Sequence, residues 1–542
     1  MWLLFPLLII FTLAGCRPAE AVMEENQTEV EAAQPEPEAE EPAVEEPEPV
    51  NIKVDSLISS SLKAVLTQAA RQAFDSFEMV DGQSGYDLAV TLGPDSSIDS
   101  ISIVMVPVVD FFTVTDEISF DQIKGFWEQG SSPEMELVIT EQNLELMETV
   151  MGPVQSDQVT VAEGDLSQAL MEGNRFSIVP FEDLRTEYKV LEVDGVSVLD
   201  KDASMQDYPL CFGLNLEGDE QYIGQLSKVL QTFELTNRQT ENMITINMTG
   251  VTALVRGTAN RMEQNGILYP AEEIRDTLIE ADITHISNEI PFVEGCTGAS
   301  DSSLVFCSRP EYFELLQHVG TDIVELTGNH MNDYGHQWMD YTLDIYDEAG
   351  LPYFGGGREL EDSYQPVLFE IGGNKIAFLG CNFWGPAYDW ATKDSPGSTP
   401  PNYEDLEEIV SQLESQGYNV VFTFQYVETY NYYPTQQQVI DFGRMIDAGA
   451  SIVSGSQSHH PMGVEFKPEG FINYGLGNLF FDQMRSLGMR QGIIARHIFY
   501  ENRHISTELI TTMLEDYSQP RLTTPEEREE LLQAIFEGSI KQ

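Results

Sequence analysis

Thr327–Gly335 reads TGNHMNDYG and follows directly on the short, mostly apolar run Ile323–Leu326. A run of this length, closed by a Thr-Gly turn and a cluster of Asn, His and Asp, has the form of a buried strand. Such a strand delivers polar side chains at its carboxyl end. The arrangement recurs on both sides. Thr245–Met248, Ile283–Ser287, Ile376–Leu379, Val420–Phe424 and Ile452–Val453 are apolar runs, each followed by a polar loop and a segment with helical spacing. Strands alternating with helices imply an α/β domain, spanning about residues 241–515. Open α/β sheets place their sites beyond the carboxyl ends of the strands, so functional groups are expected in these loops. Residues 516–542 read as a helical tail.

Upstream, residues 51–235 have the same rhythm on a smaller scale. Leu57–Phe74 has helical spacing, Ile101–Val109 (ISIVMVPVV) is strand-like and Phe120–Trp127 is helical again. Glu136–Thr140 reads as a strand that leads into a helix at Asn143–Met151. This predicts a second, smaller α/β domain. Phe176–Leu184 (FSIVPFEDL), Lys189–Asp194 (KVLEVD) and Tyr208-Pro209-Leu210 are similar to stretches of periplasmic solute-binding-protein domains, without a diagnostic ligand motif. An accessory domain and a ligand-binding domain are both compatible with them. The polar amphipathic stretch Glu217–Thr240 reads as the connection between the two domains.

The N-terminus indicates the compartment. Met1–Gly15 (MWLLFPLLIIFTLAG) is apolar but short for a bilayer span. Leu13-Ala14-Gly15-Cys16 resembles the lipobox of bacterial lipoproteins. The resemblance implies cleavage before Cys16, diacylglyceryl attachment to its sulfur, and a membrane partner reached through that anchor. No Lys or Arg precedes the apolar run, so an uncleaved anchor is the alternative; both put the protein outside the cytoplasm. Residues 16–50 then form an acidic tether. Met23–Val50 holds 11 Glu and no Lys or Arg, and a chain with so little to bury stays extended.

That tether supplies only about a sixth of the formal charge of −63, so the folded part is acidic as well. A grip on nucleic-acid phosphates needs clustered Lys and Arg, and nucleic acid is not an expected partner. At 542 residues two or three domains are expected. The five cysteines form no CxxC pair, which argues against a zinc knuckle. Cys296 and Cys307 flank a polar loop that an oxidising compartment would allow a disulfide to close. Cys381 follows an apolar run and reads as a buried thiol. Gly355-Gly356-Gly357 lacks the Lys and Ser/Thr of a phosphate-binding loop and reads as a tight turn.

Five segments in order resemble the CapA family of capsule and poly-γ-glutamate synthesis proteins, relatives of the calcineurin-like metallophosphoesterases. They are Thr249–Gly257 (TGVTALVRG), Ile286–Phe292 (ISNEIPF), Thr327–Gly335, Phe424–Tyr430 (FQYVETY), and Gly455–Pro461 (GSQSHHP) with Tyr474–Phe480 (YGLGNLF). The resemblance implies a layered, metallophosphoesterase-like fold. It also implies action on a cell-surface polymer or association with the machinery that makes it.

In such sites oxygen and imidazole ligands hold divalent cations that activate water. Carried over, Glu289, Asn329 and His459 match metal ligands. His330 matches the group that meets the phosphoryl oxygen, with Asp333 orienting it and Arg256 meeting an anionic substrate. Asn288, Gln425, Glu428, Gln457 and His460 are further candidates. Three positions depart from the family: Val251 replaces a metal-binding Asp, while Gln425 and Gln457 replace His. Valine cannot ligate, and a neutral amide oxygen suits Mn, Fe or Zn less than Mg or Ca. Two readings follow: a metal-assisted hydrolase or transferase accessory, and a non-catalytic binding protein that keeps the pocket. Tyr426, Tyr430, Tyr432 and Tyr433 are either a substrate platform or ordinary packing.

Overall fold

The computed structural model describes residues 48–541, apart from 82–83, 94–100, 130–134, 207, 234, 298–303 and 469. The expected signal peptide, Cys16 and nearly all of the acidic tether lie outside the described residues. No helix among the described residues is long and apolar enough to cross a membrane.

Ile101–Asp110 is the spine of the middle region. Val104, Met105, Val106, Val108 and Val109 are all buried, and a valine-rich apolar run of this kind suits a strand covered on both faces. Around it the sheet runs in the order Phe77–Val80, Val50–Val54, Leu88–Gly93, Cys211–Gly218, Ile101–Asp110, Arg175–Pro180, Glu136–Ile139 and Val159–Val161. Helix Ser60–Ala73 starts where the Ser59 hydroxyl accepts the Leu62 N–H, a side-chain N-cap. The stretch expected as a connection instead completes this region. Residues Glu220–Leu230 form a helix that buries Leu226 and Leu230, and Leu235–Thr236 pairs with Ile101–Ser102. Its polar outer face conceals a narrow apolar stripe.

From Met243 the chain builds two further sheets. The first has the order Tyr353–Phe354, Ile323–Glu325, Ile283–Asn288, Met243–Met248, Gln491–Tyr500, Arg503–Glu515 and Gln519–Leu522. The second has the order Val367–Ile371, Asn374–Asn382, Asn419–Gln425, Ala450–Ser456, Gly470–Asn473 and Val464–Lys467. In the first sheet the four strands from Tyr353–Phe354 to Met243–Met248 are parallel and the rest antiparallel; in the second, the four inner strands are parallel and the two edges antiparallel. Ile244, Ile246, Phe378, Val421 and Ile452 fill the space between the sheets. On the other face of the first sheet, Ile286 and Val324 pack on Leu343 and Tyr346 of helix His336–Ala349. On that of the second, Phe422 and Val453 meet Leu406, Val410 and Phe442 of helices Tyr403–Ser415 and Gln436–Asp447. The inner parallel strands are covered on both faces, which is why Ile283–Asn288 and Asn419–Gln425 read as mostly apolar runs, whereas the edge strand Val367–Ile371 leaves Leu368 and Ile371 exposed. Residues 516–542 carry the strand Gln519–Leu522 before the helix Pro525–Gly538.

The middle region is fastened to these sheets at several points. Phe111, the residue after the spine strand, meets Phe466 and Phe536 edge-on, and Phe181 meets Tyr500 in the same way. Arg528 on the last helix makes two 2.8 Å bonds to Asp116.

Candidate functional site

The strands ending at Asn288, Glu325, Gln425 and Ser456 leave their sheets on the same side, and the loops beyond them converge. Convergence is close enough to require glycine at 328, where a Cβ would lie 2.6 Å from the Glu289 Cα. Gln457 leaves its strand with φ 72°, in the left-handed region.

Gln425 is the centre of the cluster. Its Nε2 donates to Glu289 Oε1 at 2.7 Å, to Asn329 Oδ1 at 3.0 Å and to Gln457 Oε1. Three acceptors therefore share the two protons of one amide. Gln425 Oε1 is buried and has no hydrogen-bond partner among the described residues. Burial pushes the Glu289 carboxyl above its ordinary range, opposed by the charge of His330 and the bond from Gln425.

Beside this cluster, His330 Nδ1 lies 2.7 Å from Asp333 Oδ2. Asp333 is itself held by the Phe306 N–H at 2.7 Å and the Tyr388 hydroxyl at 3.2 Å. Burial disfavours the imidazolium, but the Asp333 bond and the charges of Glu289, Asp333 and Asp389 outweigh it, so the pKa of His330 is raised. Phe306 packs on the imidazole, with centroids 4.3 Å apart. His459 behaves oppositely. Burial drives it down to about 4, so it is neutral at pH 7, with Nδ1 2.8 Å from Asn478 Oδ1 and Nε2 3.4 Å from Glu428. The Asn478 amide nitrogen faces the carbonyls of Met489 and His459, which makes its Oδ1 the acceptor. Burial raises Glu428, against the charges of His330, Arg485 and Arg256.

Other expected members are placed elsewhere. Asn288 donates to the Ile290 carbonyl and the Tyr346 hydroxyl, both at 2.9 Å, and so serves the helix packing. His460 rests against Gly488, Ser486 and Tyr432. Arg256 is buried between Phe306 and Phe481, at 4.9 and 5.0 Å, and its Nη2 is 2.5 Å from Asp482. Its charge is felt at Glu428 and His459, but its contacts are with the two rings and Asp482. Val251 sits in an apolar group with Ala253, Val255, Ile290, Phe306 and Phe481. A carboxylate at that position would be buried among hydrocarbon.

Asp389 is the member that no pattern announced. It is fully buried, its Oδ1 accepts the Asn332 N–H at 2.7 Å, and its Oδ2 is unpartnered. Burial, reinforced by the charge of Asp333, pushes it up to about 7. It lies in an irregular loop, 57 residues from its partner, where spacing carries no signal. Asn478 was discoverable, because it stands inside the stretch YGLGNLF.

Among the described residues no group of three or more His, Cys, Asp or Glu side chains is placed to hold a metal ion. The donor set does not fit a pair of transition-metal ions. An amide nitrogen occupies the point on which the oxygens of Glu289, Asn329 and Gln457 converge, and imidazole is missing from it. What the arrangement offers is a cluster of fixed donors and acceptors beside one imidazole whose pKa is raised and one that is neutral at pH 7.

Residues 245–483 match the family described as "Bacterial capsule synthesis protein PGA_cap". The chain is 30% identical over 188 residues to the capsule biosynthesis protein CapA of Bacillus anthracis, covering 34% of this chain and 46% of that protein. It is 28% identical over 185 residues to the PGA biosynthesis protein CapA of Bacillus subtilis, covering 34% and 49%. A probable polyglutamine synthesis accessory protein of Mycobacterium tuberculosis is 23% identical over 212 residues, covering 37% and 56%. The chain thus spans about half the length of the curated relatives it matches. Residues 245–483 are thus similar to the PGA_cap family of bacterial capsule synthesis proteins and, in part, to the two CapA proteins.

Proposed function

We propose that this chain acts at the bacterial cell surface in the synthesis or processing of a capsule-type polymer. Its metallophosphoesterase-like site recognises polymer rather than hydrolysing a phosphoester. The observation that carries this reading is the Gln425 amide nitrogen at the focus of the Glu289, Asn329 and Gln457 oxygens. Hydrogen bonds there do what ligation does in a metallohydrolase, and the pocket is pre-formed for binding. The names of the relatives support capsule or polyglutamate synthesis as the setting, with the synthesis machinery as partner. Anchoring through Cys16 and an extracytoplasmic location belong to the same reading, and the disulfide between Cys296 and Cys307 supports an oxidising compartment.

Metal analysis of the purified full-length chain, with phosphomonoester and phosphodiester assays, tests the chemistry. Substoichiometric Mn, Fe and Zn and no turnover are expected. Stoichiometric metal, with an activity that His330→Ala abolishes, overturns it. Deleting the chain from its bacterium is expected to lower surface polymer; unchanged polymer sinks the role itself.

One observation favours a second reading. The buried, unpartnered Gln425 Oε1 would find a use if the amide turned over and its oxygen joined those of Glu289, Asn329 and Gln457. Four oxygens suit a single hard cation, Ca²⁺ or Mg²⁺. A rise in melting temperature on adding calcium, lost in Gln457→Leu, would favour it.

A further inference from the structure

Six aromatic side chains among the described residues keep more than a third of their surface exposed: Tyr334, Trp384, Tyr388, Tyr430, Tyr433 and Tyr517. Their distribution is far from even. The middle region contributes none. Five of the six stand on the three loops that follow strands Ile323–Glu325, Asn374–Asn382 and Asn419–Gln425. These are the loops that border the Gln425 cluster.

Contacts tie the rings to that cluster. The Tyr388 hydroxyl donates to the carboxylate that holds His330. The Tyr430 ring lies nearly parallel to the His459 imidazole, with centroids 6.1 Å apart, and its hydroxyl donates to Glu428. Trp384 follows Phe383, whose N–H donates to the Gln425 carbonyl at 3.0 Å. Trp384 is 53% exposed and Tyr388 56%, large values for rings of this size. Exposed apolar surface gathered around a polar pocket marks a place where something binds.

The chemistry narrows what that is. At the floor are neutral amides and a carboxyl whose pKa burial raises, which match hydroxyl and amide groups better than charges. Around them are flat ring faces with hydroxyl tips, which suit a ligand that presents C–H faces and a hydroxyl edge. A polyanion is poorly matched: ring faces carry the negative end of the quadrupole, the half-exposed Glu428 stands at the same rim, and the whole chain is strongly acidic.

We propose that this collar and floor form a saccharide-binding site, with sugar rings lying on Trp384 and Tyr430 and hydroxyls reaching Asn329 and His330, the partly exposed members of the floor. The proposal rests on the reading that the site recognises polymer, and it names the ligand class. The sugar can belong to a surface polysaccharide or to the glycan of the cell wall, so both types serve as probes.

The test is calorimetric titration of the full-length chain, purified in a polyoxyethylene detergent, with an N-acetylglucosamine hexamer, a glucose hexamer and a γ-glutamyl hexamer. Binding of either saccharide is expected, weakened at least about tenfold in Trp384→Ala or Tyr430→Ala at unchanged melting temperature. The N-acetylglucosamine hexamer binding better points to a wall glycan, the glucose hexamer to a neutral polysaccharide. Absence of saccharide binding, or binding that neither substitution weakens, overturns the proposal. If the γ-glutamyl hexamer alone binds, the saccharide assignment is wrong while polymer recognition survives. If deletion of the chain leaves surface polymer unchanged, the broader reading fails separately.

Discussion

Replacing Asp389 by Asn is expected to stabilise the protein at alkaline pH and to leave it unchanged at acid pH. The native pKa of about 7 lies above the ordinary 3.8 because the carboxyl is fully buried, with Asp333 nearby and one oxygen unpartnered. Between these values the folded state binds more protons than the unfolded chain, so stability falls as pH rises. The full cost is absent below about pH 3.8 and complete above about pH 7. With about 1.4 kcal/mol per pH unit, the difference amounts to about 4 kcal/mol. Asn keeps an acceptor for the Asn332 N–H and carries no charge to desolvate, so it escapes this cost. Urea unfolding of both forms at pH 4.5 and pH 8 measures the effect. The variant should gain most of that figure at pH 8 and little at pH 4.5. An equal gap between the two proteins at both pH values would refute the reasoning, because a packing change does not titrate.

Three further outcomes are expected. Asp333→Asn removes the charged partner of His330 Nδ1 and should lower the imidazole pKa, followed by nuclear magnetic resonance titration of the ring protons; an unmoved pKa would mean that Glu289 and Asp389 hold the proton unaided. Gln425→His puts imidazole at the focus of Glu289, Asn329 and Gln457, and should raise the affinity for Zn²⁺ or Mn²⁺ above that of the parent chain, with calorimetric titration of both proteins as the measurement. Cys296→Ser opens a loop with a sequence separation of 11 and should cost about 2–3 kcal/mol of stability, with reducing agent destabilising the parent chain to match.

The legible parts of the fold share one physical property. Strands such as Ile283–Asn288 and Asn419–Gln425 are covered on both faces, so composition alone betrays them. The hairpin Gln491–Tyr500 with Arg503–Glu515 was opaque because it interleaves Arg496, His497, Thr507 and Glu508 with its apolar residues. Those polar groups find partners that spacing does not show: His497 bonds Thr507 across the hairpin, and Arg496 bonds the remote Asn247 and Glu280. At the site, Glu289, Asn329, Gln425 and Gln457 are legible because they stand in the CapA-like segments at or just beyond strand ends. Neighbours were harder to separate. Asn288 and Glu289 are adjacent yet face different partners, and His459 and His460 diverge just beyond the left-handed turn at Gln457. Which of two adjacent side chains enters a pocket depends on backbone direction, and composition does not record direction.

The bond between Arg528 and Asp116 joins residues 412 positions apart. A ribosome, or an export channel passing the chain from its N-terminus, releases Asp116 long before Arg528 exists as a partner. Through that interval Asp116 has Lys189 beside it, but Phe111 and Phe112 still await the ring of Phe536. The middle region is therefore born with an open seam, which the last helix closes. A chain cut short before residue 525 would lose more than a tail: it would leave Phe111 and Phe112 as a sticky, unsealed face open to proteases.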